Sequence, residues 1–564
     1  MPHTAAEQLM IELINRARLD PAAEAARQGL ALDAGLAPGS IGTAPLQALS
    51  PSAALLAAAD GHSAWLLETG GFSHTGAGGS TPGERMAAAG YVFAGGWSWG
   101  ENLASWKSSA GVEAVAAILD HHTRLYASAP HRKAMFGETF REIGIGQQIG
   151  LHQGTPASIV TQAYAQSGTT LFLTGVAIRD ADGDGFYDIG EGRGGVQVGT
   201  ATTAAAGGYG LAHAGRGPLD LVVRAGGGET ALRVDFGGAN VKLDLLLGDD
   251  GRVARILTTG GVTLTGAEGR DMALLGIGNG SLGGGAGHDT LTGNAGHNRL
   301  SGGAGHDLLS GGAGNDTLDG GDGNDTLDGG AGNDLILGGA GHDLLRASLG
   351  RNQMWAGAGN DTVIGGTGND TLGGGDGDDV IDARAGGRNQ LWGGNGRDTL
   401  HASDNGDMAG GGWGDDFIFG GGGRDTLMGG LGHDTVQGGG GNDALYLGMG
   451  DDWGHGGAGD DTIVAGPGFD RLWGGAGADR FEFWRDAGWN RVEDFNGAEG
   501  DVLALGRGMW TGTHGRLTAA QVVQTFGILD ASGDAVLAFA AAGTTVVVVG
   551  AGSLEGLADH ILIL

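Results

Sequence analysis

A nine-residue phrase, GGxGxDxUx with U apolar, recurs through the middle of the chain and restricts its fold more than any other feature. The phrase is complete in residues 284–292 (GGAGHDTLT), 311–319 and 320–328. Its sixth position recurs every nine residues from 289 to 379 and, after one inserted residue, from 389 to 479. That gives 22 positions, of which 19 are Asp and three are Asn. A fixed short period over so many copies predicts a solenoid and argues against a disordered Gly-rich linker.

The chemistry of the phrase indicates calcium. Glycine at positions one, two and four allows tight turns whose carbonyls point inward, and the aspartate adds a charged oxygen. Calcium binds six to eight oxygens, many of them backbone carbonyls. The xUx triplet predicts a short strand with one inward apolar side chain, so two phrases form one coil of a parallel β-roll. The predicted calcium ligands are the sixth-position aspartates: Asp289, Asp307, Asp316, Asp325, Asp334, Asp343, Asp361, Asp370, Asp379, Asp398, Asp407, Asp416, Asp425, Asp434, Asp443, Asp452, Asp461, Asp470 and Asp479.

The repeat block resembles the RTX (hemolysin-type) proteins over about 200 residues. The resemblance implies a β-roll over 284–480 that binds several Ca²⁺ ions. Residues 271–479 hold 30 Asp, no Glu and 8 Arg, a net charge of −22 out of −34 for the whole chain. Because this charge repels itself without cations, we expect the block to stay open where calcium is scarce and to fold outside the cell.

The rest of the composition excludes several classes of protein. A net charge of −34 argues against nucleic acid and anionic membranes as partners. The absence of cysteine excludes disulfides and thiol chemistry. The first residues, MPHTAAEQLMIELINRARLD, lack the basic start and apolar stretch of a Sec signal peptide, and no apolar run approaches the length of a membrane span. We therefore expect an export signal elsewhere in the chain.

That signal is expected at the C-terminus. The stretches FEFWRDAGWNRVEDFNGAEGDVLAL, LTAAQVVQTFG and LEGLADHILIL follow the last repeat. They resemble the C-terminal module of serralysin-type and other RTX proteins. The resemblance implies a β-rich cap over 481–564 with an uncleaved type I secretion signal. A plain cap over the end of the solenoid is the alternative, and both descriptions can hold together.

The N-terminal segment combines helical patterns with short motifs. Residues 4–18 and 51–68 predict helices. FSHTG at 72–76, GEN at 100–102 and APHRKAM at 129–135 follow in order. Together with LINRARLDPAAEAAR at 13–27 they resemble the bacterial CAP (SCP-like) superfamily. The resemblance implies an α-β-α sandwich over 1–168.

The CAP resemblance also implies a cavity lined by two histidines and two acids. His74, Glu101 and His131 match three of these places by motif. The fourth has no clear counterpart; Glu113 and Asp120 are candidates, and His122 lies on the same helical stretch. Two imidazoles and a carboxylate suit a transition metal such as Zn²⁺, or acid–base chemistry. A purely structural or binding role is the alternative, and it stays open.

Other motifs limit what this N-terminal domain can do. The chain has no cysteine nucleophile and no HExxH, the metalloprotease motif, so we expect no protease site of either kind. Three tryptophans flank GEN, at positions 97, 99 and 106. They could line a ligand groove, although core packing is the more common role of large aromatic side chains.

Residues 169–247 predict a small β-sandwich from six short alternating strands. The similarity to SdrD-B or carboxypeptidase-regulatory modules is weak. Within it, DADGDGFYDIGE at 180–191 fits the twelve-residue calcium loop D-x-[DN]-x-[DN]-G-x5-E without a mismatch. Gly185 makes the sharp turn of such a loop. The predicted ligands are Asp180, Asp182, Asp184, the Phe186 carbonyl, Asp188 and Glu191.

The sequence thus predicts a multidomain chain: an α-β-α sandwich, a small β-sandwich, a linker and the start of the roll over 248–283, the parallel β-roll and a β-rich cap. The predicted function is that of an extracellular, secreted bacterial calcium-binding protein, with the type I secretion apparatus and an unknown lipid, glycan or peptide ligand of the CAP domain as partners. A metal-assisted hydrolase that uses the CAP cavity, and a structural surface or matrix adhesin, are the alternatives.

Overall fold

The computed structural model describes residues 2–215, 217–265, 269–510, 514–551 and 553–564. The chain divides into two compact units, Met1–Gly302 and Gly303–Leu564. Within the described residues, no helix has the length and apolar character needed to cross a membrane.

The first unit begins with an α/β domain. Its helices are α1 (Ala5–Leu19), α2 (Pro21–Arg27), α3 (Ala53–Thr69), α4 (Pro82–Ala88), α5 (Ala114–Ala127) and α6 (Ala129–Met135). Its strands are β1 (Ser50–Pro51), β2 (Trp97–Lys107), β3 (Glu142–His152) and β4 (Thr155–Ser167), in the sheet order β1-β3-β4-β2. Thr4 caps α1 in a capping box with Glu7, which explains why that helix begins there.

Helices cover both faces of this sheet, as expected for an α-β-α sandwich. On one face, α1, α5 and α6 bury Met10, Ile118 and Met135 against Ile145. On the other face, α3 lies so close to β3 that a Cβ on Gly144 would meet the backbone of residue 55 at 2.1 Å. Glycine at this position therefore allows the helix to approach the sheet.

A small β-sandwich follows in the same unit. Its strands are β5 (Leu171–Ile178), β6 (Gln197–Val198), β7 (Ala201–Thr202), β8 (Gly208–His213), β9 (Leu219–Ala225), β10 (Gly228–Asp235) and β11 (Val241–Leu247). One sheet pairs β8, β5 and β11, and the other pairs β7, β6, β9 and β10.

Both sandwich sheets continue into the segment that follows. Its strands are β12 (Val253–Thr258), β13 (Gly261–Leu264), β14 (Asp271–Leu274), β15 (Ser281–Ala286) and β16 (Thr290–Thr292), followed by β17 (Arg299–Ala304). β12 pairs with β11, and β13 pairs with β10. The segment predicted as a linker and start of the roll is thus largely strand.

The second unit contains the parallel β-roll predicted from the repeats. Its strands are β18 (Leu308–Ser310), β19 (Thr317–Asp322), β20 (Thr326–Asp328), β21 (Leu335–Ala340), β22 (Leu344–Arg346), β23 (Gln353–Ala358), β24 (Thr362–Ile364), β25 (Thr371–Asp376), β26 (Val380–Asp382), β27 (Gln390–Asn395), β28 (Thr399–His401), β29 (Met408–Trp413), β30 (Phe417–Phe419), β31 (Thr426–Leu431), β32 (Thr435–Gly440), β33 (Ala444–Met449), β34 (Trp453–Ala458), β35 (Thr462–Val464), β36 (Arg471–Ala476) and β37 (Arg480–Phe483).

Even-numbered strands of the roll form a first sheet and odd-numbered strands a second sheet, each parallel and in register. In the first sheet, Leu327 pairs with Leu345, and Leu345 with Val363. These eighth-position side chains are fully buried. The predicted inward apolar residue therefore forms the core between the sheets.

The end of the chain is rich in β-strands, as predicted. It contains β38 (Gly488–Val492), β39 (Val502–Leu505), helix α7 (Ala519–Phe526), β40 (Gly527–Leu529), β41 (Ala535–Phe539), β42 (Thr544–Val548) and β43 (Ile561–Ile563). β42 pairs with β38, and β43 pairs with β39, so both sheets of the roll extend into this region. Phe526 and Phe539 pack against each other and against Trp510 in its core.

Candidate functional site

The sixth-position residues of the second unit form two rows, one on each side of the roll. The first row precedes strands of the first sheet: Asp307, Asp325, Asp343, Asp361, Asp379, Asp398, Asp416, Asp434, Asp452 and Asp470. The second row precedes strands of the second sheet: Asp316, Asp334, Asn352, Asp370, Asn389, Asp407, Asp425, Asp443, Asp461 and Asp479. All of these side chains are buried.

The two oxygens of each carboxylate have different roles. The Asp325 Oδ1 accepts the backbone N–H of Asp307 at 2.7 Å, and the Asp343 Oδ1 accepts that of Asp325 at 2.8 Å. The other oxygen is buried and has no hydrogen-bond partner among the described residues. This holds for Oδ2 of Asp325, Asp334, Asp343, Asp361, Asp370, Asp379, Asp398, Asp416, Asp425, Asp434, Asp443, Asp452, Asp461, Asp470 and Asp479.

A backbone carbonyl of the next coil lies beside several of these oxygens. A Cβ built on Gly320 would lie 2.5 Å from Asp325 Oδ2 and 2.5 Å from the Gly338 carbonyl oxygen. The second row repeats the arrangement, where a Cβ on Gly438 would lie 2.5 Å from both Asp443 Oδ2 and the Gly456 oxygen. Converging carboxylate and carbonyl oxygens are the donor set that Ca²⁺ prefers, so these residues fit calcium.

Burial makes these carboxylates costly to ionise without a cation. Desolvation raises the pKa of Asp470 to about 8 and that of Asp452 to about 7, and neighbouring aspartates add to both shifts. A buried, ionised carboxylate oxygen without a partner destabilises the folded roll unless a cation binds to it.

The second row is interrupted where the first is not. Asn352 Nδ2 donates to Asp370 Oδ1 at 3.1 Å, and Asn389 Nδ2 donates to the Gly386 oxygen at 3.2 Å. In these two coils an amide N–H donor takes the place of a carboxylate oxygen. Because Asn is neutral, the negative charge that would bind a cation is absent there.

Asp407 marks a third departure in the second row. Position two of its phrase is Ser403, whose backbone N–H donates to Asp407 Oδ2 at 2.6 Å. The Ser403 hydroxyl lies 2.8 Å from the same oxygen. Protein groups therefore satisfy Asp407 Oδ2, unlike the Oδ2 of Asp334 or Asp370 in the same row.

The loop at 180–191 brings its acidic residues together. Ligand oxygens of Asp180, Asp182 and Asp184 lie within 4.8 Å of one another, and no other group of three or more His, Cys, Asp or Glu among the described residues does so. Glu191 is buried and accepts N–H groups from both arms of the loop, Ala181 at 2.6 Å and Asp188 at 3.1 Å.

Electrostatics and turn geometry support this loop as a cation site. Burial, together with Asp184 and Glu191, raises the pKa of Asp188. Gly185 has φ +71°, the left-handed turn that the motif requires. The residues fit a calcium ion, and Tyr187 anchors the loop in the core of the first unit.

In the α/β domain, Glu101 on β2 is the centre of a small polar cluster. Its Oε1 lies 2.9 Å from His74 Nδ1 and 3.9 Å from His62 Nε2. Its Oε2 accepts a hydrogen bond from Arg85 at 2.5 Å. His62 also contacts the Ser73 carbonyl oxygen at 2.9 Å, and burial lowers its pKa.

His131 stands apart from direct contact with Glu101. Burial and the nearby His74 lower its pKa, and its backbone oxygen accepts from Asn102 Nδ2 at 3.0 Å. His62 and Arg85 could not be predicted from the sequence, because a lone histidine in an apolar helix and an arginine in PGER belong to no motif.

The candidates for a fourth acid lie elsewhere. Glu113 caps α5 through the N–H groups of residues 115 and 116, and Asp120 pairs with Arg124. His122 is buried and contacts Glu24 at 3.2 Å. None of the three contributes to the Glu101 cluster.

The expectation that the tryptophans near GEN belong to the core is wrong for two of them. Trp97 and Trp99 are 55% and 38% exposed. Trp99 lies against α4, where a Cβ on Gly83 would meet its Nε1 at 2.7 Å.

Comparison with known families agrees with this architecture. Residues 11–164 match the Cysteine-rich secretory protein family, CAP. The RTX calcium-binding nonapeptide repeat matches in overlapping segments between 283 and 487. The chain carries a CAP domain and RTX repeats. No curated protein matches the chain.

RTX repeats bind calcium and are typical of secreted proteins. The predicted resemblances to the CAP and RTX families, and the β-roll, are confirmed. The role of the Glu101 cluster in the CAP domain, and the metal ligands assigned residue by residue, stay predictions.

Proposed function

We propose that this is a secreted calcium-binding protein that leaves the cell through a type I system, folds on extracellular calcium and presents its CAP domain to a ligand. The observation that carries the proposal is the repeated buried Oδ2, which has no hydrogen-bond partner among the described residues and lies beside a glycine carbonyl. One cation per site would satisfy both oxygens.

The negative charge of the repeat block makes its folding depend on whether the protein is in the cytoplasm or outside the cell. The block 271–479 carries −22, and its ionised aspartates can be buried only when cations balance them. At cytoplasmic calcium levels the block would remain extended, which suits passage through a narrow exporter. Outside the cell, calcium binding and folding would occur together.

A calcium titration of the full chain followed by far-ultraviolet circular dichroism tests the proposal. We expect the strand signal of the roll to be absent in chelator and to appear as calcium is added, while magnesium at the same concentration has little effect. A strand signal already complete in chelator would refute calcium-dependent folding.

For the CAP domain, the geometry favours ligand binding over catalysis. Both oxygens of Glu101 are engaged, and the cationic Arg85 beside them opposes a second positive charge such as Zn²⁺. His74, Glu101 and His131 do not bring their ligand atoms within 4.8 Å of one another. The residues therefore do not fit zinc, and we propose that the cluster supports a binding surface that includes Trp97 and Trp99.

A further inference from the structure

Two repeats of the roll depart from the phrase in the same way. Residues 351–355 read RNQMW and residues 388–392 read RNQLW. Among the 22 repeats, Gln occupies position seven only at 353 and 390, and Trp occupies position nine only at 355, 392 and 473. Since the other repeats fold with many different residue types at these two positions, the roll itself does not require this pattern.

The structure places the two departures in one register on the second sheet. Trp355 on β23 pairs with Gly373 on β25, and Gly373 pairs with Trp392 on β27. Trp392 in turn pairs with Gly410 on β29. Among the 22 repeats, Gly373 and Gly410 are the only glycines at position nine.

Each glycine lies under the indole of the preceding coil. A Cβ on Gly373 would meet Trp355 Cε3 at 2.3 Å, and a Cβ on Gly410 would meet Trp392 Cε3 at 3.0 Å. The same ring atom approaches the glycine in both pairs, so the two indoles have similar orientations. Trp355 is 41% exposed and Trp392 is half-buried.

From this repeated pair we infer a binding face for an extended, neutral, β-1,4-linked polysaccharide. The tryptophans are two strands apart, which corresponds to about 10 Å at ordinary strand spacing. A two-fold β-1,4-linked chain presents the same ring face once per disaccharide, over a similar length. Flat indoles at this interval can therefore stack on every second sugar.

The surroundings favour a sugar over other ligands. Gln353 and Gln390 are exposed on the same strands, two residues before each tryptophan, and their amides can donate to and accept from hydroxyl groups. Gly373 is the one residue between the two indoles in this register, so no side chain separates them. The amide side chains of Gln353 and Gln390 carry no charge, which suits a neutral polymer.

The inference depends on the roll being folded in calcium, but not on the CAP domain or its ligand. It is tested by isothermal titration calorimetry of the full chain in calcium with cellohexaose and chitohexaose as probes and maltohexaose, whose α-linked chain curves, as the contrast. The variants are Trp355→Ala with Trp392→Ala, and Trp413→Ala as a matched control, since Trp413 is an exposed tryptophan on the turn side of β29.

We expect binding of at least one β-1,4-linked probe and weaker or no binding of maltohexaose. The double variant should bind at least about tenfold more weakly, and Trp413→Ala should bind like the wild type. Circular dichroism in calcium confirms that each variant is folded. The inference is overturned if the folded wild type binds neither β-1,4-linked probe, if the double variant binds normally, or if Trp413→Ala loses as much affinity.

Discussion

At the scale of single residues, the sixth position decides whether a turn of the roll needs a cation. From Asp325 onward, each Asp at this position except Asp407 leaves one buried oxygen for an ion, whereas the amide of Asn352 or Asn389 donates a hydrogen bond in its place. The first row has Asp at each of its ten positions, and the second row does not. We therefore expect fewer ions along the second row.

Restoring the carboxylates should restore the ions. In the full chain, Asn352→Asp with Asn389→Asp should raise the amount of bound calcium by up to about two ions per chain, since each change creates one acidic site. Calcium per chain after equilibrium dialysis is the measurement. Asp361→Asn in the first row is the matched control and should lose calcium; unchanged stoichiometry in both variants would contradict the assignment.

A buried histidine of the CAP domain gives a pH dependence. His121 is fully buried on α5, and burial lowers its pKa from 6.5 to about 4. The unfolded chain then binds more protons between these values, so the stability that the neutral ring contributes is lost as pH falls from about 6.5 towards 4.

His121→Leu should remove this dependence. Ser158 keeps a partner in Gln147 after the change. We expect the free energy of unfolding of the wild type to fall by roughly 2 kcal/mol more than that of the variant between pH 7 and pH 4, measured in constant calcium by denaturant titration. Parallel curves for the two proteins would show that His121 does not titrate in this range.

Sequence reasoning reached residues that carry a motif and missed those that depend on tertiary contacts. His74 and Glu101 were found because FSH and GEN are local patterns, and they do meet. Arg85 and His62 approach Glu101 from two different helices, and no local sequence pattern predicts such a contact. The Asn interruptions were visible in the sequence, but their hydrogen bonds required coordinates.

At the scale of elements, the loop between β5 and β6 links a cation site to the core of the first unit. Phe186 lies under the Arg16 guanidinium of α1 at 4.8 Å, and Tyr187 is buried. The aspartates on the outer side of the loop repel one another when no ion is bound. Calcium should therefore stabilise the contact between the loop and α1.

Removing the loop ligands tests this coupling. In the full chain, Asp182→Ala with Glu191→Gln should remove one calcium ion and lower the melting temperature of the first unit in calcium by several degrees. Scanning calorimetry and calcium stoichiometry are the measurements. Asp249→Ala, at an exposed aspartate outside the loop, serves as the control; if the double variant melts and binds like the wild type, the loop is not a calcium site.

Element prediction succeeded where a period governs the chain. The nine-residue repeat predicted the register of the roll strands, and the alternating pattern predicted the sandwich strands. The segment 248–283 was harder, since it lacks the repeat and yet β12 to β14 form by pairing with neighbouring strands. That pairing is set by the sheets already in place rather than by local sequence.

At the scale of the whole molecule, the distribution of charge and the order of the domains separate a part of the chain expected to serve secretion from a part expected to bind a ligand. The acidic repeats and the C-terminal region are expected to serve secretion, and the CAP domain to serve recognition afterwards. The charge is concentrated in the repeats, with −22 of −34 between residues 271 and 479.

Deletions separate these roles. Removing 505–564 should keep the protein inside cells, because the expected type I signal lies there, whereas removing 1–165 should leave secretion intact. Immunoblots of medium and cell fractions, with a cytoplasmic marker for lysis, give the readout. Secretion that requires 1–165 and tolerates loss of 505–564 would reverse the proposed arrangement.

The shared carboxylates also determine how binding spreads along the roll. From Asp325 to Asp470, each first-row aspartate contacts two coils, since its Oδ1 accepts the N–H of the preceding aspartate while its Oδ2 remains for an ion. Such a row is a one-dimensional lattice with nearest-neighbour coupling, in which one occupied site orders the next. The unbroken row should fill over a narrow range of calcium with a steep Hill slope. The interrupted row should fill in short blocks over a wider range of calcium concentration. One side of the solenoid would therefore become ordered at a lower calcium concentration than the other.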